Sequence, residues 1–284
     1  MKSPEESTVI VCGIVRNAAS GLKRNIPAVN QICSRFKDYK VVIFENDSTD
    51  GTKDILHDWQ NRFPGKVHCM TENIDSSSTI PAAGSVPGNR FFSEARNRKM
   101  TAYRNKYLQF IDDNKWTADY LMVIDLDIEK LFPEAVFSSF SGGPEWDAVT
   151  AFGYSTSPKL RRRYHDTYIF QEWERRGEPQ TEQHMAEVAV KYGKLKPGDP
   201  WVRVAAAFGG LAIYRFDAIQ GLRYQVILNN DAQVPAYGDH YSLYKQMIER
   251  GYDRIYLNPS MYLKYQRVTF RIAWNSLKRK FGLG

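Results

Sequence analysis

Two aspartates separated by one residue follow an apolar run, and this pattern constrains the chain more than any other feature. Residues 121–124 are uninterrupted apolar side chains, and Asp125 and Asp127 come directly after them. Such a run suits a strand that is buried on both faces. Because residues i and i+2 of a strand point the same way, the two carboxylates are expected to converge on a hard divalent cation, Mn²⁺ or Mg²⁺. A solvated turn that happens to contain two acidic residues is the alternative.

Strands and helices alternate along the first half of the sequence. Strand-like runs occupy residues 8–15, 41–44 and 67–70, and helix-like runs occupy residues 21–36, 54–63 and 91–111. This alternation predicts an α/β fold with a mostly parallel central sheet flanked by helices. Ligands of such sheets bind beyond the carboxyl ends of the strands. The polar groups that follow the strands are therefore expected to share one rim.

The remaining segments are less regular. Residues 71–90 are rich in Ser, Pro and Gly, which predicts a loop. Residues 202–214 predict two short strands around Gly209 and Gly210, and residues 241–250 predict an amphipathic helix. The glycine pair is interpreted either as a turn or as a place where backbone can approach a ligand closely.

Polar residues after the second strand and early in the long helix are candidates for binding a nucleotide. The segment from Glu45 reads Glu-Asn-Asp-Ser-Thr-Asp-Gly-Thr, which is typical of a turn that opens a helix. Glu45 can also accept hydrogen bonds from a ribose or a base. Arg96 can pair with a phosphate through two parallel hydrogen bonds. For its neighbours Arg98 and Lys99, a solvated basic face is the structural alternative.

The order of these segments resembles the GT-A type of nucleotide-sugar glycosyltransferase. The matching segments are Val15-Arg-Asn17, the Glu45 segment, Ala95-Arg-Asn97 and Asp125-Leu-Asp127. The second half is most similar to the fungal capsule-associated mannosyltransferase-like family. The segments that carry this second resemblance are Tyr164-His-Asp-Thr-Tyr168, Phe208-Gly-Gly-Leu-Ala-Ile-Tyr214, Leu222-Arg-Tyr224, Gly238-Asp-His240 and Tyr256-Leu-Asn-Pro259.

The resemblance implies a GT-A, Rossmann-like fold in a single domain over residues 1–265. Residues 8–130 would bind the nucleotide sugar, and residues 131–265 would form the acceptor side. The implied activity is metal-dependent transfer of a sugar from a nucleotide-diphosphate sugar to a hydroxyl of a glycan or a lipid-linked glycan. The residues expected to bind the donor are Arg16, Glu45, Asp47, Arg96 and Asp125. The residues expected to hold Mn²⁺ or Mg²⁺ are Asp125, Asp127 and His240.

Asp239 and His240 are the expected catalytic residues on the acceptor side. Asp239 would take the proton from the attacking hydroxyl, and His240 would act as a base or as a third metal ligand. A helix N-cap is the structural alternative for Asp239. The mannosyltransferase resemblance implies retention of configuration. The Glu45 segment also occurs in inverting enzymes, so both outcomes stay open.

Two other functions are compatible with the same residues. A nucleotidyltransferase that acts on a sugar phosphate also uses paired acids on an α/β sheet, although residues 13–17 are a poor phosphate-binding loop. A non-catalytic glycan-binding protein is the second alternative. Common RNA-binding modules interleave basic and aromatic residues along their strands, and this chain lacks that pattern, so no nucleic-acid partner is expected.

Charge and cysteine content indicate the surroundings of the protein. The formal net charge is +7, which favours an anionic partner. Three cysteines without metal-ligand spacing fit free thiols in a reducing compartment, so we predict a cytoplasmic protein. Residues 266–284 predict a basic amphipathic helix that binds the inner face of an anionic membrane, with an aromatic stripe at Phe270, Trp274, Leu277 and Phe281. An anchor upstream of residue 1 stays open.

Overall fold

The computed structural model describes residues 1–74, 90–157 and 161–266. Most of the loop predicted over residues 71–90 and nearly all of the helix predicted over residues 266–284 therefore lie outside the described residues. No helix in the described part of the chain is long and apolar enough to cross a membrane.

Ten strands form one sheet in the described residues. They are β1 (Thr8–Val15), β2 (Asp38–Asn46), β3 (Val67–Glu72), β4 (Tyr120–Ile124), β5 (Ala148–Thr156), β6 (Arg162–Tyr164), β7 (Gln171–Glu172), β8 (Val202–Ala206), β9 (Leu211–Arg215) and β10 (Ile255–Gln266). The helices are α1 (Ala19–Cys33), α2 (Thr52–Arg62), α3 (Glu94–Asp113), α4 (Pro133–Phe137), α5 (Glu182–Tyr192), α6 (Phe216–Ile219) and α7 (Tyr241–Glu249).

The strand order is β3-β2-β1-β4-β9-β5-β10-β8-β7, with β6 paired to β5. Seven strands run in one direction, and β6, β8 and β9 run in the other. The prediction of an α/β fold with a mostly parallel sheet flanked by helices is confirmed. Strands from both predicted halves of the chain are hydrogen-bonded within this one sheet.

The apolar strands are buried on both faces, as their unbroken apolar runs predict. All five residues of β4 are buried, and its alternate side chains enter two core clusters on opposite faces of the sheet. Helix α3 packs Tyr107, Leu108 and Ile111 into one cluster, and α1 packs Leu22 and Ile32 into the other. The sheet is therefore held between two layers, and its carboxyl-end rim is fixed from both sides.

Strands β5 and β10 were not predicted from the sequence. In β10 the pairing with β5 shifts register between Asn258 and Tyr262, around Pro259. Proline has no backbone N–H to donate to a ladder, so it interrupts the pattern by which a long strand is usually recognised. Helix α5 was also missed, although Thr181 caps it by accepting a hydrogen bond from the backbone N–H of His184 at 3.1 Å.

Candidate functional site

A cleft of about 1000 Å³ opens at the carboxyl ends of β1, β2 and β4. Parallel pairing of β1 with both neighbours brings the three strand ends together. Arg16, Asn46, Asp125 and Asp127 follow or end these strands, and all four line the cleft. The expectation that residues far apart in sequence share one rim is therefore met by these side chains.

Asp125 and Asp127 lie in a turn rather than in the strand. Strand β4 ends at Ile124, and the backbone N–H of Asp125 donates to the carbonyl of Gly210 at 2.9 Å. The Asp125 side chain is 14% exposed, whereas Asp127 is exposed at the cleft. The prediction assumed that both carboxylates point the same way because side chains alternate along a strand. The turn after β4, and not that alternation, brings them to the same cleft.

The surroundings of Asp125 make its negative charge unfavourable without a cation. Burial, and then the charges of Asp127 and Asp239, raise the pKa of Asp125 to about 7. The guanidinium of Arg104 and a hydrogen bond from the hydroxyl of Tyr265, at 2.7 Å, act in the opposite direction. Two carboxylates of like charge repel each other at a cleft wall, and binding of a divalent cation relieves that repulsion.

The predicted set of three protein ligands for a metal is not assembled. No group of three His, Cys, Asp or Glu side chains in the described part of the chain is placed to hold a metal ion. Two carboxylates nevertheless suit Mg²⁺ or Mn²⁺, because Mg²⁺ is commonly bound through one or two carboxylates, with waters and substrate phosphates as the other ligands. Asp125 and Asp127 therefore fit such a cation, with His240 outside the set.

His240 lines the cleft, but its side chain is fully buried. Its ring stacks on Phe208 at a centroid distance of 3.8 Å, and Nδ1 lies 3.4 Å and 3.5 Å from the hydroxyls of Tyr214 and Tyr224. Burial, reinforced by the charge of Arg104, lowers the pKa of His240 well below its usual value and keeps the ring neutral. Nε2 has no hydrogen-bond partner among the described residues.

Asp239 forms an ion pair instead of capping a helix. Its Oδ2 accepts a hydrogen bond from Nε of Arg104. Helix α7 starts after His240, and no side chain caps it. Although burial opposes the shift, the charge of Arg104 lowers the pKa of Asp239 to about 2. A carboxylate stabilised in this way is a weak proton acceptor near neutral pH.

Basic side chains line the wall of the cleft formed by α3 and the end of β1. Arg16, Arg96 and Lys99 all face the cleft. Burial, together with the charges of Arg16 and Arg96, lowers the pKa of Lys99, which indicates that the three groups are close neighbours. The alternative of a solvated face fits Arg98, which lies outside the cleft in an ion pair with Glu94, but it does not fit Lys99.

Glu45 and Asp47 organise the turn after β2. Glu45 is fully buried, and its Oε1 accepts a hydrogen bond from the backbone N–H of Ser48 at 2.7 Å. Asp47 has a positive φ of 50°, and its Oδ1 accepts from the backbone N–H of Ile74 at 2.7 Å. Glu45 therefore holds the turn at Ser48, and Asp47 ties it to the chain after β3. Asn46, the last residue of β2, lines the cleft.

Gly209 and Gly210 lie next to the turn that contains Asp125, and the carbonyl of Gly210 accepts the hydrogen bond from the Asp125 backbone. Gly209 and Gly210 have φ values of 63° and 93°. A Cβ on Gly209 would lie 2.2 Å from the carbonyl oxygen of Ala151, and one on Gly210 would lie 2.9 Å from the ring of Tyr265. The pair lets backbone approach β5 and Tyr265, in a conformation that L side chains rarely adopt.

Arg104, Lys99, Tyr265 and His165 line the cleft and were not recognised from the sequence. A signal for the first two was present, because Arg96, Lys99 and Arg104 recur at helical spacing on one face of α3. Tyr265 is at the end of an unpredicted strand. His165 belongs to one of the segments that carry the family resemblance, and its ring stacks on that of Tyr265 at a centroid distance of 3.6 Å.

No protein-family model and no curated protein sequence matches this chain. Solved structures that are similar to it include the mannosyltransferase PcManGT from Pyrobaculum calidifontis in complex with GDP-Man and Mn²⁺, at 13% identity and a TM-score of 0.49. The match covers 98% of this chain and 62% of that one, which is less than two thirds of its length.

Two further similar structures have lower TM-scores. Glucosyl-3-phosphoglycerate synthase from Mycobacterium tuberculosis, in complex with Mn²⁺, UDP and phosphoglyceric acid, matches at 12% identity and a TM-score of 0.45, over 98% of this chain and 78% of that chain. S. aureus TarS in complex with UDP-GlcNAc matches at 12% identity and a TM-score of 0.46, over 92% and 60% of the two chains.

Proposed function

We propose that this protein is a metal-dependent glycosyltransferase of the GT-A type, which moves a sugar from a nucleotide-diphosphate sugar to a hydroxyl of a glycan or lipid-linked glycan. One observation carries the proposal. A single cleft joins a carboxylate pair, Asp125 and Asp127, to a basic wall of Arg16, Arg96 and Lys99. A nucleotide sugar needs both, because its diphosphate is anionic and gains charge as the glycosidic bond breaks.

The basic wall supports a role in holding the diphosphate. Guanidinium and ammonium groups form charge-assisted hydrogen bonds with phosphate oxygens, and these are stronger than bonds between neutral groups. The nucleoside would lie against the turn at Asn46, which Glu45 and Asp47 hold in place. We propose that Glu45 acts through this backbone, since its carboxylate is buried and bonded to Ser48.

Asp125 and Asp127 are the residues that would hold Mn²⁺ or Mg²⁺. When bound, such a cation supplies Lewis-acid stabilisation of the charge on the leaving diphosphate. Asp127 is the more accessible of the two carboxylates, so we propose it as the direct ligand. The hydroxyl of Tyr265 and the carbonyl of Gly210 fix the side chain and backbone of Asp125.

Transfer requires the bond between the sugar C1 and the phosphate oxygen to break while a bond from C1 to the acceptor oxygen forms. The proton of the acceptor hydroxyl must also leave, and the departing diphosphate oxygen or water would accept it. Asp239 is a weak acceptor for it, because of its ion pair with Arg104. We propose that Asp239 orients the acceptor side of the cleft. We also propose mannose as the transferred sugar, and it is the first to test.

The proposal is tested by incubating the protein with a panel of nucleotide sugars and Mn²⁺ and measuring the release of free nucleotide. We expect release from one donor class, and loss of that release in excess chelator and in Asp127→Ala. Asp127 is exposed, so that variant should keep its melting temperature. Incorporation of a nucleotide into a sugar phosphate would support a nucleotidyltransferase, and sugar binding without turnover would support a glycan-binding protein.

A further inference from the structure

Arg104 lies on α3 at the floor of the cleft, and the predictions from the sequence gave it no role. Its side chain is only 4% exposed, and it lines the cleft together with Asp125 and Asp239. Burying a charged group carries a penalty of several kcal/mol, and pairing offsets it only in good geometry. A buried arginine at this place therefore requires an explanation in the site around it.

The guanidinium of Arg104 lies between carboxylates from the two walls of the cleft. Nε donates to Oδ2 of Asp239, which precedes α7. Nη2 lies 3.8 Å from Oδ1 of Asp125, in the turn after β4. The planar, forked guanidinium can hold two carboxylates in a fixed relation, which a single ammonium cannot do.

Helix α3 is tied to the acceptor-side wall on both sides of Arg104. Asn105 exchanges two hydrogen bonds with the backbone of Tyr224, at 2.9 Å and 2.8 Å. Asn97 donates to the carbonyl of Tyr237. The guanidinium carbon lies 5.4 Å from the ring centroid of Phe208 and 5.9 Å from that of Tyr224. These contacts leave the Arg104 side chain little freedom to reorient.

One nitrogen of Arg104 is left without a partner. Nη1 is buried and has no hydrogen bond within the described residues. Most buried polar groups are paired, and an unpaired one is costly. Buried ion pairs also add little stability compared with apolar side chains of similar size. Stability alone is therefore a poor explanation for an arginine here.

We propose that Arg104 is a positioning residue that holds Asp125 in the orientation required for binding a divalent cation and couples it to Asp239. This inference rests on the proposed function, because it takes Asp125 to be a metal-site residue. It extends that function by joining the donor side of the cleft to the acceptor side through one side chain.

The test is a titration of the full chain with Mn²⁺ alone, in which electron paramagnetic resonance measures the unbound Mn²⁺. Arg104→Met removes a positive charge near the cation. Electrostatics alone would then tighten Mn²⁺ binding, whereas loss of positioning weakens it. We expect the Kd for Mn²⁺ to rise at least fivefold in both Arg104→Met and Arg104→Lys. Arg98→Met, on the exposed face of the same helix, is the control and should leave the Kd unchanged.

Measuring the melting temperature of the same variants distinguishes a loss of positioning from misfolding. Arg104→Met leaves Asp239 buried and unpaired, so its melting temperature should fall. Adding Asp239→Asn should recover much of that loss while Mn²⁺ binding stays weak. Tighter or unchanged Mn²⁺ binding in folded Arg104→Met and Arg104→Lys would overturn the inference, as would recovery of Mn²⁺ binding together with stability. Failure of the wild type to bind Mn²⁺ would instead contradict the proposed metal site itself.

Discussion

The hydroxyl of Tyr265 donates a hydrogen bond to Oδ2 of Asp125 at 2.7 Å, across 140 residues of sequence. It joins the end of β10 to the turn after β4. The same ring lies over Gly210, whose carbonyl accepts from the backbone N–H of Asp125. The orientation of this carboxylate is therefore fixed by residues that are distant from it in the chain.

Tyr265→Phe should weaken the metal site while preserving the fold. The change removes one hydrogen bond to a carboxylate, which is worth about 1.5–3 kcal/mol when the acceptor is charged. We expect roughly a tenfold rise in the Kd for Mn²⁺, measured by titration, and a fall of a few degrees in melting temperature. An unchanged Kd would mean that Asp125 does not depend on Tyr265 for its orientation.

Gly210→Ala should impair both stability and activity, and Gly177→Ala is a matched control for backbone strain. The two glycines have φ values of 93° and 85°. A Cβ on Gly210 would lie 2.9 Å from the Tyr265 ring, whereas one on Gly177 meets nothing within 4 Å. We expect Gly177→Ala to lower only the melting temperature, and Gly210→Ala to reduce nucleotide release as well. Equal activity in the two variants would contradict a role for Gly210 in the site.

Lys99→Met should weaken binding of the nucleoside diphosphate about tenfold, since it removes one charge-assisted contact. Arg98→Met is the control, because Arg98 is one residue away but pairs with Glu94 outside the cleft. Calorimetric titration with the nucleoside diphosphate and Mn²⁺ gives both affinities. Equal losses in the two variants would show that Lys99 acts only through the net charge of the protein.

His165 should contribute to a loss of stability as the pH is lowered from about 6.5 to 4. Burial lowers the pKa of His165 to about 4, whereas an unfolded histidine titrates near 6.5. Below 6.5 the unfolded chain therefore binds a proton that the folded chain does not, and folding becomes less favourable. Because the raised pKa of Asp125 acts in the opposite direction, the test is the difference between two proteins. Lowering the pH from 7 to 5 should shift the urea midpoint of the wild type downward relative to that of His165→Gln. Identical slopes for the two proteins would contradict this assignment.

The parallel half of the sheet was predictable because its signals are local. Unbroken apolar runs mark β1, β2 and β4, and a polar residue follows each of them. The placement of Arg16 and Asp127 on one rim then follows from parallel pairing alone. No knowledge of side-chain contacts is needed for that step.

The interior of the site was not predictable, because it depends on long-range pairing. Arg104 pairs with Asp239, which lies 135 residues away. Tyr265 donates to Asp125 from β10, a strand whose apolar pattern is interrupted at Pro259. Likewise, the prediction that Glu45 contacts a ligand assumed that the side chains of the last residues of β2 are accessible from the cleft. Register and packing turn Glu45 inward to Ser48, and neither is visible in one sequence.

A crystal structure with Mn²⁺ and the nucleoside diphosphate released from the active donor tests the central claim most directly. We predict anomalous density for Mn²⁺ bound by Asp127 and bridged to the diphosphate, with the phosphate oxygens also contacting the basic wall of Arg16, Arg96 and Lys99. Binding of the nucleotide away from the rim of β1, β2 and β4, or Mn²⁺ bound without contact to Asp127, would contradict the account.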